Sequence, residues 1–365
     1  MKIGILGTRG VPNFHGGFEQ FAEYFSVYLA DNKHEVYVYN SSTHPYKEKE
    51  FKGVKIIHCK DPEDKIGTAG QFIYDLNCIL DSRKRNFDIL LQLGYTSNSI
   101  WRKLLPKNAT IVTNMDGLEW KRSKYSRKVQ KFLKYAERLA VKSSDFLIAD
   151  SIGIQNYLKE TYQVNSEYIA YGAELFNTPD ASILLEYQVE AFNYNMLIAR
   201  LEPENNIETI LDGVALSKIK TPFLVIGKHD VNAFGAYLKS KFKDQSHIKF
   251  VGGIYNLEHL NNLRFFSNLY FHGHSVGGTN PSLLEAMSSR ALIIANNNEF
   301  NKTILNENAY YFETAQNVKA YIETLSKDNH SSIIENCYNQ IDKQFNWDII
   351  NKKYLDYFKA CKSEN

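Results

Sequence analysis

Two α/β domains, each a parallel sheet covered by helices, are what this sequence predicts. Three observations carry the prediction. The chain has 365 residues, which suggests about two domains at roughly 100–200 residues each. Short β-rich apolar runs alternate with helical patterns almost from end to end, as they do where helices cover both faces of parallel sheets. The alternation lapses once, between 176 and 194, where Pro179 stands and no strand is clear, and then restarts.

In the first half, strands are predicted at 2–7, 35–40, 54–58, 87–93, 110–114, 146–149 and 167–170. Helical patterns lie between most of them, at 17–30, 68–82, 125–142 and 152–160. The second half predicts strands at 195–199, 222–226, 248–251, 269–272, 292–295 and 310–312. Helices at 207–217, 257–266, 282–289 and 318–325 separate them. The boundary is placed near 172–178, which gives an N-terminal domain at 1–174 and a C-terminal domain at 175–345. The tail, 346–365, reads as a helix with Trp347, Ile350, Tyr354 and Tyr357 on one face, expected to pack back on the N-terminal domain. In two Rossmann-like halves of this kind, ligands bind beyond the C-terminal ends of the strands, so a cleft between the halves is expected to hold them.

Composition narrows the function. A hydrophobic fraction of 44% with 23% charged residues is ordinary for a globular protein. A net charge of +2 supplies no global field for nucleic acid. Cys59, Cys78, Cys337 and Cys361 form no CxxC pair, so reduced thiols are expected rather than zinc or a disulfide framework. No apolar run approaches the roughly 18 residues of a spanning helix, and the opening strand is not a signal peptide. A cytoplasmic protein is expected, peripheral on the membrane face at most.

The first strand runs into a glycine-rich loop. Gly4, Gly7 and Gly10 form a GxxGxxG pattern, which taken alone suggests a nicotinamide-binding turn. Two features oppose that reading. A long loop ending in a second pair, Gly16-Gly17, precedes the helix, and the second strand ends on Asn40, where a ribose-binding enzyme carries an acid. Such a loop brings bare backbone N–H groups and a positive helix end to an anion. The alternative is a tight strand-to-helix turn with no ligand.

The most specific segment runs from His272 to Met287. Asn280 is a good N-cap and Pro281 a good first helical residue. Gly277, Gly278 and Thr279 precede them, where backbone can approach a diphosphate closely. Glu285 lies about one turn inside, within reach of sugar or ribose hydroxyls. The alternative is a capped helix with Glu285 solvated, and His274 reads equally as ligand or as structural histidine. A third string, Ala199-Arg200-Leu201-Glu202-Pro203-Glu204-Asn205-Asn206, also follows a strand. A guanidinium at Arg200 can clamp phosphate oxygens and stabilise a leaving diphosphate; a surface arginine is the alternative.

These strings resemble the retaining glycosyltransferases of family four, which have the GT-B fold of two facing Rossmann-like domains. Within that family the chain is similar to the bacterial rhamnosyltransferase branch, whose N-terminal part was long catalogued as a domain of unknown function. The likeness rests on Gly7 to Pro12 with Gly16 to Glu19, on Asp116-Gly117-Leu118-Glu119-Trp120-Lys121-Arg122, on Arg200 to Asn206, and on His274 to Met287. The resemblance implies catalytic roles for Asp116, Arg200 and Glu285, the last on the nucleotide ribose. It implies donor binding by Gly16, Gly17, Lys228, His274, Gly277, Gly278, Thr279 and Asn280. Phe18, Glu19, Glu119 and Trp120 fall on the acceptor side. Gly277 stands in place of the first of the family's paired glutamates, Asn205 in place of a phosphate-binding lysine, and Asp116 in place of a histidine. Lys228, Arg9 or His274 would then help meet the phosphate charge. No metal or other cofactor is implied, and the sequence contains no Asp-x-Asp triplet. The implied reaction moves L-rhamnose from dTDP-β-L-rhamnose, with retention, onto a lipid-diphosphate-linked or oligosaccharide acceptor in capsule, O-antigen or other wall-glycan synthesis.

The stretch from Lys121 to Lys134 is strongly basic. On a helix, Lys124, Arg127, Lys131 and Lys134 share one face, with Tyr125, Phe132 and Tyr135 interleaved. Anionic headgroups or a lipid diphosphate would be drawn to it; a solvated face is the alternative. Rival functions are a UDP-sugar transferase or epimerase of the same fold and a sugar-binding scaffold; a dehydrogenase would need a Tyr-x-x-x-Lys pair in the first half, and the match at Tyr237 and Lys241 lies in the second, which counts against it.

Overall fold

The computed structural model describes every residue except His15, Ser123 and Asn365, and the side chain of Glu364. His15, within the glycine-loop string, and Ser123, within the basic stretch, lie outside the described residues. The chain divides into two compact units. The first comprises Met1–Trp120, Tyr125–Tyr171 and Trp347–Asn365; the second comprises Lys121–Lys124 and Gly172–Asn346.

The first unit is built on eight strands: β1 (Lys2–Leu6), β2 (Glu35–Ser41), β3 (Glu50–Phe51), β4 (Val54–Cys59), β5 (Ile89–Leu93), β6 (Thr110–Asn114), β7 (Phe146–Ala149) and β8 (Glu167–Tyr168). They lie in the order β3-β4-β2-β1-β5-β6-β7-β8. All pairings are parallel except the β3–β4 edge. Every residue of β5 and β6 is buried, including Thr110, Thr113 and Asn114 of β6, as expected of central strands in a sheet covered on both faces. The sequence reading misses the two-residue β3, too short to show a period.

The C-terminal helix, Trp347–Glu364, belongs to the first unit. Its buried stripe is Trp347, Ile350, Asn351, Tyr354, Leu355, Phe358 and Cys361. Phe358 rather than Tyr357 continues the stripe, because 3.6 residues per turn carry position 354 to 358.

The second unit holds β9 (Asn195–Ile198), β10 (Phe223–Ile226), β11 (Ile248–Gly252), β12 (Leu269–His272), β13 (Ile293–Asn296) and β14 (Tyr310–Phe312). Their order, β11-β10-β9-β12-β13-β14, is fully parallel. Leu197, Phe223, Val225, Leu269, Phe271 and Ile294 sit at the centre of its core. Helices at Ala233–Lys241, Glu299–Leu305 and Ser331–Gln340 were not expected from the sequence. Each is short, and asparagine caps start the first two.

Candidate functional site

In each sheet the order of the parallel strands reverses at one place, which is where open α/β sheets bind their ligands. In the second unit the reversal falls between β9 and β12. The loop after β9 carries Arg200, and the loop after β12 carries His274 to Asn280.

These loops are laced together by asparagine. Asn205 Nδ2 donates to the Arg200 carbonyl at 2.6 Å, and Asn206 Nδ2 to the Gly273 carbonyl at 2.8 Å. Ser275 Oγ donates to the Glu204 carbonyl at 2.7 Å. After β13, the helix cap Asn298 and Asn301 of the helix Glu299–Leu305 both donate to the His274 carbonyl, at 2.9 and 3.0 Å. Asn205 is therefore a buried loop tie, and no cation stands at that position. Gly273 permits the close approach: a Cβ there would lie 2.0 Å from the Asn205 carbonyl oxygen.

The helix Pro281–Ser288 starts where the sequence predicts. Asn280 Oδ1 accepts from Ser282 N at 2.9 Å, and Pro281 occupies the first helical position. Pro281 brings no N–H, and Leu283 N and Leu284 N both donate to the Asn280 carbonyl, so an anion would meet the loop backbone before the helix and the positive end of its dipole rather than free first-turn N–H groups. Gly277 has φ of 136°, and a Cβ added there would meet no atom within 4 Å, so the backbone before the helix is open to a ligand. Thr279 is buried, and Gly278 lies half-buried between them.

Glu285 is not simply solvated. Its Oε2 lies 2.6 Å from Arg264 Nη2, and Arg264 is 1% exposed. The same guanidinium donates to Ser282 Oγ at 3.0 Å and to Asn261 Oδ1 at 2.9 Å. Arg264 thus fixes both the first turn of the helix and its acid. The sequence carries a signal that was passed over: Arg264 lies on the buried stripe of Leu257–Phe266, one residue after Leu263, where an unpaired charge would be prohibitive.

His274 is half-buried, and its ring stacks on His272 at 4.5 Å. Burial, then Arg200, then Arg122 hold its pKa down to about 3. It is a neutral imidazole at physiological pH, not a phosphate counter-charge. Lys228 and Arg200 are exposed, and the Lys228 ammonium lies 5.2 Å from the Tyr255 ring centre. Tyr237 and Lys241 both bond to Glu208, at 2.5 and 2.7 Å. That Tyr-x-x-x-Lys pair is an exposed structural cluster.

In the first unit the reversal falls between β1 and β5. Gly7 (φ 92°) and Gly10 (φ 128°) let the loop after β1 pass close to Leu93 and Asn40. Fully buried Asn40 accepts from Val11 N at 3.0 Å and donates to Val11 O at 2.8 Å. The residue at the ribose-acid position therefore holds the loop, against the nicotinamide reading. Gly16 precedes the helix Gly17–Asp31 and is exposed. Phe18 lies over Gly94, whose added Cβ would come within 3.3 Å of the ring. Glu19, expected on the acceptor side, is buried and accepts from Arg9 N at 2.8 Å. The Arg9 side chain pairs with both carboxylate oxygens of Glu63, each at 2.7 Å.

Asp116 follows β6 and is half-buried, with φ of 48°. Glu119 and Trp120 lie in the turn after it, and Trp120 Nε1 donates to Glu137 Oε2 at 3.0 Å. Glu137, 1% exposed, was missed by the sequence reading. It sits on the apolar stripe of the helix Arg127–Ser143 between Leu133 and Ala140. Lys134 turns in to pair with it at 2.9 Å, which takes Lys134 off the predicted basic face. Lys124, Arg127, Lys128 and Lys131 are exposed.

Two parallel sheets of this kind, one in each unit, are the GT-B fold. Solved structures match over the whole length. Sucrose-phosphate synthase from Thermosynechococcus elongatus has a TM-score of 0.80 at 12% identity, covering 100% of both chains. HepE from Anabaena, solved in complex with UDP-glucose, has a TM-score of 0.74 at 13% identity over 98% of this chain and 99% of that one. A glycosyltransferase from Rickettsia africae ESF-5 has a TM-score of 0.73 at 16% identity over 99% and 98%. Residues 1–174 match a domain of unknown function, DUF1972, and residues 189–343 match glycosyl transferases group 1. The family match in the second unit and the whole-chain fold together support a glycosyltransferase of the GT-B fold. Comparison with curated proteins by sequence finds no match.

Proposed function

We propose that this chain transfers L-rhamnose from dTDP-β-L-rhamnose, with retention, onto a sugar carried by a lipid diphosphate, in the building of a bacterial surface polysaccharide. One observation carries the transferase reading. Arg200, the open Gly277 backbone, an asparagine-capped helix start and a buried-arginine-held Glu285 converge at one reversal of strand order. That set suits a nucleoside diphosphate. The open loop backbone at Gly277 and the Arg200 guanidinium meet phosphate charge, and Glu285 accepts from ribose hydroxyls. A neighbour solved with UDP-glucose supports a nucleotide-sugar donor. The choice of rhamnose rests on the sequence strings around Asp116 and Gly277 and on the DUF1972 match.

In this reading the leaving phosphate takes the acceptor's proton as the new bond forms on the same face. Arg200 stabilises the charge that develops on the diphosphate, and no step is routed through a metal ion. Asp116 orients the sugar or the acceptor and favours positive charge at the anomeric carbon. Asp116→Ala is expected to lower kcat by about 100-fold or more; near-normal turnover would remove Asp116 from the mechanism. Exposed Arg127, Lys128 and Lys131, beside exposed Val129 and Tyr135, suit a peripheral contact with an anionic membrane, where a lipid-linked acceptor resides.

The neighbour's UDP-glucose favours a second reading, a UDP-sugar transferase of the same fold. A thermal-shift and nucleotide-release panel, with and without a lipid-diphosphate-linked acceptor sugar, separates the cases. Stabilisation by dTDP-rhamnose with acceptor-dependent release supports the first reading. The same behaviour with a UDP-sugar supports the second, and turnover of donor without acceptor points to an epimerase. Silence toward every nucleotide sugar leaves a scaffold.

A further inference from the structure

Asp116 holds a left-handed backbone conformation, φ 48°, which aspartate tolerates better than most residues but which is still uncommon outside glycine. Such a conformation persists where its surroundings over-determine it. Two sets of groups in the first unit do so. On one side, Asp116 N–H donates to Asn114 Oδ1 at 2.9 Å, and Asn114 Nδ2 donates to the Tyr354 hydroxyl at 2.8 Å. Tyr354 is 1% exposed, on the C-terminal helix. Its ring packs on Phe21 at 4.6 Å and Phe25 at 5.1 Å, both from the helix that follows Gly16-Gly17.

On the other side, the Tyr95 hydroxyl donates to the Gly117 carbonyl at 3.3 Å. Trp120 is tied to Glu137, whose Oε1 also accepts from the hydroxyls of Tyr157 and Tyr162 at 2.6 Å each. Lys134 supplies the counter-charge. Its ammonium lies 4.4 Å from the Trp120 ring centre and 4.5 Å from that of Tyr157. An aromatic cage thus closes over an ion pair, and one wall of the cage is the loop that carries Asp116.

We propose that Tyr354, acting through Asn114, and Glu137, acting through Trp120, are positioning residues that hold Asp116 in its working conformation. The C-terminal helix is then part of the acceptor-side site and not only a cover over the sheet. This inference rests on the reading of Asp116 as a group that touches substrate.

Tyr354→Phe keeps the ring and removes one hydroxyl; Glu137→Gln keeps the shape and removes the charge. Both are compared with Asp116→Ala in the full-length chain, and Trp120→Phe replaces Glu137→Gln if that variant does not fold. Hydrogen exchange across residues 115–121 is read without substrate. Nucleotide release is read from dTDP-β-L-rhamnose and from UDP-glucose, each with a lipid-diphosphate-linked sugar. Faster exchange is expected in both positioning variants. Their kcat should fall on the order of 10-fold, as for a misplacement of a fraction of an ångström, while donor KM stays within about twofold. Wild-type kcat and exchange in Tyr354→Phe and in the Glu137-arm variant, beside a crippled Asp116→Ala, would overturn the clamp and leave Asp116 its role. Near-normal turnover by Asp116→Ala would overturn the role itself, and the inference with it.

Discussion

Replacing Arg264 by methionine removes the anchor of the second unit's acid while keeping a side chain of similar length. Arg264 is 1% exposed, and its Nη2 lies 2.6 Å from Glu285 and 3.0 Å from Ser282 Oγ. Breaking a buried ion pair by deleting one partner costs about 3–5 kcal/mol. The lower end applies here, because the Glu285 side chain keeps 15% exposure. Methionine also removes Arg264 Nε, which is buried without a partner, a gain of about 1 kcal/mol. The net loss is roughly 2 kcal/mol. At about 2–4 °C per kcal/mol for a unit of this size, its thermal transition should fall by roughly 4–8 °C. Donor affinity should fall about tenfold, equivalent to about 1.4 kcal/mol, as Glu285 loses its orientation. Calorimetry and donor titration on Arg264→Met, Glu285→Gln and the double variant complete a cycle. A coupling of about 1–3 kcal/mol is expected. A coupling within about 0.5 kcal/mol of zero would show that the pair does not act as a unit, and the site would need another anchor.

Two further changes test other parts of the second unit. Lys327 is 8% exposed, donates to the Phe265 carbonyl, and has its pKa lowered by burial to about 7. The folded value lies below the ordinary 10.5, so the unfolded chain binds the extra proton between about pH 7 and 10.5. This group's contribution to stability therefore rises with pH across that window. Lys327→Met should flatten the rise and stabilise the unit at pH 7 by on the order of 1–3 kcal/mol, read as melting temperature at pH 7 and 9; an unchanged slope would refute the assignment. Gly273→Ala places a Cβ 2.0 Å from the Asn205 carbonyl oxygen and should force the two switch-point loops apart. A cost of about 2–4 kcal/mol and a matching loss of donor-induced thermal shift are expected; an unaffected donor shift would mean the loops need not meet.

What the sequence made legible was whatever depends on local signals. The start of Pro281–Ser288 is a one-residue matter of an asparagine cap followed by proline, and chain order alone writes it. Strands β6, β7, β12 and β14 coincide with their predicted bounds, since each is a short run rich in β-branched, aromatic or aliphatic residues. Partnerships across the sheet were not legible. Glu19 looked like an acceptor-side acid and is tied to Arg9 N, while Lys134 looked like a surface charge and closes an aromatic cage. Glu137 and Arg264 both sit where a charge interrupts a buried helical stripe. That pattern needs no alignment to see and marks a buried charge with a partner elsewhere in the fold. The partners themselves, Trp120 for one and Glu285 for the other, lie 17 and 21 residues away, beyond any periodicity.

The same partnerships decide how phosphate charge can be met without a lysine at position 205. Three groups were candidates. Arg9 belongs to the first unit and is held by both oxygens of Glu63. His274 has a pKa of about 3, and charging it at neutral pH would cost on the order of 5 kcal/mol, more than a surface-open phosphate contact returns. Its value is as a neutral imidazole stacked on His272, on a residue whose backbone carbonyl is pinned by Asn298 and Asn301. Lys228 alone remains exposed and cationic, its stem beside Gly253 and its ammonium near the Tyr255 ring. The charge on a bound diphosphate would then be shared by Arg200, Lys228 and the open loop backbone at Gly277. Asn205 leaves one cation fewer than the family pattern supplies, and in return ties the Arg200 carbonyl in place, so the remaining guanidinium is presented from a fixed loop.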